Sequence, residues 1–217
     1  MSKIIIWFVK ITGIIPNLLY LRRKTYYVDK KVQNRKLKEP AIIISNHTSL
    51  MDFPLYMFTF FRNTIRPLVA EITYNKNKAL KLLLKFLGGI KVDRINYDFT
   101  FMGECIEALE KKDSVLIFPE GRLPKKDEIE LLSFKPSFVY IALESNAPII
   151  PMYTNGKYGF KGKTRVIIGE KIYVRDLMDD SLSIEENIQN ICEYFRNYII
   201  KLKEKLNEKD EETKKDI

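Results

Sequence analysis

The 217-residue chain contains one histidine and two cysteines. A zinc or other transition-metal centre draws on clustered His and Cys, so only carboxylates remain as ligands and no metal is implied. Cys105 and Cys192 lie far apart in sequence, outside any metal-ligand spacing, and read as buried, reduced thiols of a cytosolic compartment. No G-x-S-x-G segment is present, so nothing suggests a serine elbow. Internal repeats and low-complexity blocks are absent. There is also no uninterrupted apolar run of the roughly 20 residues that a spanning helix needs. Residues 4–21 come nearest, but Lys10, Gly13, Pro16 and Asn17 break them, and no small-residue cleavage site makes them a signal peptide. Acidic residues are in deficit, 28 against 37 basic ones, for a net charge of +9 that favours anionic partners.

At 46% hydrophobic, the chain can bury one substantial core. Residues 1–25 read as a membrane-associating segment of two short helices broken near Pro16, with Lys10 snorkelling and Trp7 and Tyr20 at the boundary. The cations from Arg22 to Lys38 would then face an anionic lipid surface. The competing reading packs this hairpin on the domain's own core. Residues 26–208 read as the main domain, and 209–217 as a disordered charged tail. Nucleic acid is disfavoured, because the positive charge is densest beside the apolar N-terminus and no recognised binding motif occurs. Oligomeric state is left open.

From residue 41, short apolar runs alternate with helical patterns. Strands are expected at 41–45, 66–72, 90–92, 114–118, 147–153 and 164–174. Helices are expected at 53–61, 77–87, 97–112, 137–145 and 183–206, with a polar loop over 119–133. The fold class is α/β: a largely parallel or mixed central sheet flanked by helices, preceded by the N-terminal apolar hairpin. Ligands of such sheets gather beyond the carboxyl ends of the strands.

The lone histidine sits at that rim, in "IIISNHTSLMDFP" (42–54). His47 and Asp52 are five residues apart, about 140° around a regular helix, so they cannot share a helical face. Pro54 fits only a first helical turn, which starts the helix near Asp52 and leaves His47 in the turn before it. Two readings stand open. Asp52 can pair one imidazole nitrogen and leave the other to act as a general base. Alternatively, Ser49 to Asp52 is a capping box and Asp52 only starts the helix.

A second segment, "VLIFPEGRLP" (115–124), runs a buried strand into Phe118-Pro119-Glu120-Gly121-Arg122. "GGIKVDR" (88–94) brings Arg94 to a strand end, a side chain suited to bidentate phosphate contact, and "APIIPMYTNG" (147–156) leads another strand to a polar end. With Asn46-His47-x4-Asp52 at the front and Phe134-Lys135 between the last two, these segments resemble the blocks of the glycerolipid and lysophospholipid acyltransferase family over residues 40–156. One departure stands out: many members continue Phe-Pro-Glu-Gly with Thr-Arg-Ser, whereas here Arg122 follows Gly121 directly and a longer charged loop follows.

The resemblance implies transfer of an acyl group from a thioester, acyl-CoA or acyl-carrier protein, to a hydroxyl of a lysophospholipid such as 1-acylglycerol-3-phosphate. These are substrates, and no cofactor is implied. His47 would take the hydroxyl proton and Asp52 would hold His47. Asn46 or the amides of the 46–49 turn would meet the oxyanion. Glu120 and Gly121 would orient the acceptor, and Arg94 and Arg122 would clamp its phosphate. The resemblance also implies residence at the cytoplasmic face of the cell membrane, peripheral or monotopic through the N-terminus.

Overall fold

The computed structural model describes residues 3–93, 99–125, 127, 128 and 130–215. Two helices open the chain, α1 (Lys3–Thr12) and α2 (Ile14–Leu21), followed by strand β1 (Lys24–Tyr27). Then come β2 (Ile42–Ser45), α3 (Asp52–Thr59), β3 (Ile65–Ala70), the single turn α4 (Glu71–Tyr74), α5 (Lys78–Phe86) and β4 (Ile90–Val92). Helix α6 (Thr100–Glu110), β5 (Ser114–Ile117), α7 (Ser137–Ser145), β6 (Ile149–Thr154), β7 (Arg165–Ile168) and the long α8 (Ile184–Lys215) complete it. The seven strands form one sheet in the order β1-β7-β6-β2-β5-β3-β4. Every pairing is parallel except β6 with β7. This is the expected α/β class.

Side chains alternate across a strand, and the core is built on that period of two. Ile42 and Ile44 of β2 face one apolar cluster with Cys105, Phe138 and Phe195 from α6, α7 and α8. Ile43 faces the opposite cluster with Leu55, Tyr56 and Phe60. In β5, Val115 and Ile117 join the first cluster and Leu116 the second. A sheet covered on both faces needs apolar residues at every position, which is why "AIIIS" and "SVLIF" show no alternation in sequence. Both cysteines are buried and free.

Several boundaries differ from the sequence reading. The strand expected over 66–72 yields to α4 after Ala70. The strand expected over 164–174 stops at Ile168, because the Glu170 amide turns to the Tyr198 hydroxyl of α8 at 3.2 Å; pairing returns only as an isolated bridge between Ile149 and Ile172. β1 was not expected: it takes Lys24–Tyr27, part of the basic stretch assigned to headgroups, and adds them to the sheet edge beside β7. The 209–217 tail, expected to be disordered, is helical through Lys215, since Asp210 pairs with Arg165 Nε at 2.8 Å and Leu206 is buried beneath β7.

The N-terminal pair bends by 52°, and no single helix among the described residues is long and apolar enough to cross a membrane. The break falls at Gly13 rather than Pro16, which sits in the first turn of α2 where its missing N–H costs nothing. Lys10 does not snorkel. It is only 2% exposed, and its ammonium donates to the carbonyls of Phe61 at 2.8 Å and Asn63 at 2.6 Å. These two carbonyls follow α3 and lack helical partners, so Lys10 ties the hairpin to the domain. The opposite face of the pair, including Ile4, Phe8, Ile11, Ile15, Leu18 and Leu19, is exposed.

Burial lowers the Lys10 ammonium from 10.5 to about 8. The unfolded chain therefore holds more protons on Lys10 than the folded chain does between pH 8 and 10.5, and stability from this group rises across that window. Lys10→Met should abolish that rise. From pH 7.5 to 10.5 the wild-type denaturation midpoint should rise relative to that of the variant; parallel curves would contradict the buried ammonium.

Candidate active site

Strand β2 delivers Asn46 and His47 to the carboxyl rim of the sheet, and α3 begins at Asp52. The loop between them closes on the Asp52 carboxylate, which is fully buried. Its Oδ2 accepts from the Thr48 amide at 2.7 Å and the Ser49 amide at 2.9 Å, and lies 2.8 Å from His47 Nδ1. Its Oδ1 accepts from Thr48 Oγ1 at 2.8 Å and from the Tyr158 hydroxyl. The two readings of Asp52 are therefore both partly met. It holds the imidazole, and it accepts the Ser49 amide as the acidic half of a capping box would. The Ser49 hydroxyl, however, accepts from Met51 N rather than from Asp52 N.

With Asp52 at Nδ1, that nitrogen carries the proton and Nε2 presents a lone pair. The imidazole is 17% exposed and stacks on Phe118, with ring centres 4.1 Å apart and planes within 9°. Thus the strand end at 118 forms one wall of the histidine's slot. The neighbouring Glu120 is buried and joins the two loops directly. One oxygen accepts the His47 amide at 2.8 Å, and the other accepts the Leu132 amide at 3.1 Å. Burial pushes the Glu120 carboxyl up, and those two amides pull against it. Gly121 turns the chain with φ +76°, a conformation that L side chains resist, so the requirement there is backbone rather than space.

The remaining expected residues stand differently. Asn46 is buried, and its side chain mimics a peptide group: Oδ1 accepts from Thr154 N and Nδ2 donates to Thr154 O, each at 2.9 Å. It pins the end of β2 to the end of β6, which engages both of its side-chain polar atoms. The amides of His47, Thr48 and Ser49 are taken by Glu120 and Asp52, so they are not free oxyanion donors either. Arg122 makes a bidentate pair with Glu128 at 2.6 and 2.5 Å, on the exposed loop. Arg94 lies outside the described residues. The structure thus brings His47, Asp52, Glu120 and Gly121 together, assigns Asn46 to the scaffold, and leaves Arg122 in an ion pair.

A family model described as acyltransferase matches residues 25–155. The chain belongs to the acyltransferase family. Among curated relatives of this acyltransferase domain is the 1-acyl-sn-glycerol-3-phosphate acyltransferase of Limnanthes douglasii, 31% identical over 61% of this chain and 47% of that protein. Its counterpart in Cocos nucifera is 34% identical over 54% of this chain and 38% of that protein. The chain thus spans less than half the length of these two plant relatives. The solved structure of the 1-acyl-sn-glycerophosphate (LPA) acyltransferase PlsC from Thermotoga maritima shares the fold, with a TM-score of 0.62 at 21% identity over 91% of this chain and 78% of that one.

Two residues of this site escape the sequence reading. Tyr158 reaches Asp52 across 106 positions, and burial together with the nearby carboxylate raises its phenol well above the usual tyrosine range. Gly156, two residues earlier, packs so closely that a Cβ would lie 2.7 Å from Thr48 Oγ1. Neither carries a local signal, because both contacts exist only once β6 lies beside β2. Tyr158→Phe should cost about 1.5–3 kcal/mol, the range for a hydrogen bond to a charged group, and should lower turnover by loosening Asp52. Urea unfolding together with steady-state kinetics checks both, and an unchanged unfolding midpoint would remove Tyr158 from the network.

Proposed function

We propose that the chain is a membrane-associated O-acyltransferase that moves a fatty acyl group from acyl-CoA or acyl-carrier protein to the free hydroxyl of 1-acylglycerol-3-phosphate, giving phosphatidic acid. The observation that carries this reading is the His47–Asp52 pair at the strand rim, oriented through Nδ1 with Nε2 left as a base. The names of the curated relatives point to the same acceptor.

In this reading the acceptor hydroxyl gives its proton to His47 Nε2 as its oxygen attacks the thioester carbonyl. Asp52 stabilises the imidazolium that forms. The tetrahedral intermediate then collapses, the C–S bond breaks, and the imidazolium returns the proton to the departing thiolate. A base so held typically contributes about 10² to 10⁴ in rate. No residue of the chain becomes acylated. Glu120 supports this chemistry by holding the His47 backbone, while the Gly121 turn borders the acceptor. Arg94 is assigned to the acceptor's phosphate. Arg122 joins it only by leaving Glu128, which leaves room for a second acceptor: another lysophospholipid, or glycerol 3-phosphate, recognised by the same rim.

Membrane association is supported by the outward apolar face of α1 and α2. Helix α5 adds a second such face, with Leu82, Leu83 and Phe86 exposed among Lys78, Lys81 and Lys85. Leu87, just past α5, clusters with Met57 and Phe58 of α3, and Val9 of α1 packs against that cluster. An exposed apolar face flanked by cations suits an anionic bilayer surface. The cytoplasmic leaflet would supply such a surface.

His47→Ala should abolish acyl transfer while leaving the fold intact, as read by product mass and circular dichroism; near-normal turnover would sink the mechanism. A panel of 1-acylglycerol-3-phosphate, other lysophospholipids and glycerol 3-phosphate, each against acyl-CoA and acyl-carrier protein, identifies the substrates. Replacing Ile11 and Leu18 by Glu should release the protein from anionic vesicles in flotation. Undiminished co-flotation would exclude the α1–α2 face as the contact.

A further inference from the structure

At the pole of the sheet opposite the dyad lies a cleft of about 320 Å³, lined by the cations Lys30, Arg35, Lys36 and Arg62 together with Tyr27 and Phe61 and without a carboxylate. Topology places it there. β1 runs opposite to β2, so Tyr27 ends β1 where the parallel strands begin. Arg35 and Lys36 lie on the approach to β2, and Arg62 follows the far end of α3, whose 8 residues from Asp52 span about 12 Å at 1.5 Å per residue. The cleft is therefore separate from the catalytic rim.

Three observations make it more than a scatter of surface charge. Arg35 is already positioned, since its Nε donates to Thr59 O at 3.0 Å and closes the end of α3. A further cation, Lys209 of α8, approaches with its Nζ 3.3 Å from the Tyr27 carbonyl. Arg35 and Tyr27 also neighbour Arg23, which is not itself in the lining and whose Nε and Nη1 are buried without a hydrogen-bond partner among the described residues. Burial, with Arg35 alongside, pulls this guanidinium down to about 10. Buried donors in native proteins are normally satisfied, and like charges gathered in one place lack a counter-ion. The nearest carboxylate in sequence, Asp29, turns Oδ1 to the Lys31 and Val32 amides and does not line the cleft.

We propose that this cleft is an anion site that takes a phosphate group through Lys30, Arg35, Lys36 and Arg62. Arginine forks match phosphate oxygens bidentately, and lysines add point charge. Phe61 links the cleft to the N-terminal pair, since its ring meets Trp7 of α1 edge-on at 5.5 Å. A phosphate carried by a lipid headgroup and a free phosphate would both satisfy the same cations.

The test uses the full chain. Trp7, the single tryptophan, reports from the edge of the cleft, and calorimetry gives the affinity. Inorganic phosphate should bind saturably to wild type and to Arg122→Gln. Lys36→Gln/Arg62→Gln should bind it at least about tenfold more weakly, as loss of two charge-assisted contacts predicts. Neither side chain of that pair makes a hydrogen bond among the described residues, so the variant should keep the wild-type melting temperature and acyl transfer. Vesicles of phosphatidic acid that displace the phosphate, where phosphatidylcholine vesicles do not, would identify a lipid headgroup as the source. Phosphate retained on both vesicles would identify a soluble one. Equal binding by the double variant, loss of binding in Arg122→Gln alone, or no binding by wild type would overturn the proposal.

Discussion

A single buried carboxylate organises the rim of this protein. Asp52 accepts from the imidazole, two backbone amides, a threonine hydroxyl and a tyrosine hydroxyl. A charge taken out of water is tolerated only when so surrounded. The consequence is mechanical as well as electrostatic. The loop from 47 to 51 cannot move without breaking several of these bonds at once, so the histidine is held by the same group that starts α3. Around it, Asn46 locks β2 to β6, and Glu120 locks the histidine's backbone to the loop after β5. Three separate stretches of chain are bound into one site before any substrate arrives, the pre-organisation that general-base chemistry requires.

What the sequence made legible follows from how local each signal is. The sheet was readable because a strand buried on both faces must be apolar throughout, as Ile42 to Ile44 and Val115 to Ile117 are. The turn ahead of α3 was readable because Pro54 and a five-residue spacing exclude a shared helical face. His47, Asp52 and Glu120 were therefore placed correctly at the rim, although Glu120 binds two backbone amides there. The rest depended on contacts between distant segments. Tyr158 meets Asp52 only after β6 has crossed to β2. Lys10 resembles an interfacial lysine in sequence, and only the two carbonyls that follow α3 show why it turns inward. The charged C-terminal stretch resembles a disordered tail until Arg165 of β7 meets Asp210.

The excess positive charge is also more structured than a count of +9 conveys. Part of it lies on α5 beside an exposed apolar face, part lines the cleft at the far pole, and Arg122 is neutralised by Glu128. Under the proposed function, field and apolar surface together would favour a lipid boundary and concentrate a lipid acceptor near the rim. The His47–Asp52 pair itself is held from two sides, with Phe118 stacked on the imidazole and the Tyr158 hydroxyl on the carboxylate.

Because His47 is the only histidine, its ring nitrogens can be observed without overlap. A nitrogen-15 spectrum of the histidine-labelled protein above the imidazole's titration range tests the arrangement most directly. The Nδ1–H tautomer, with Nε2 bearing the lone pair, is the predicted result, and Asp52→Asn should shift the balance between the two forms. A dominant Nε2–H tautomer in the wild-type protein would contradict the account, since the base would then point at Asp52 instead of at an acceptor hydroxyl.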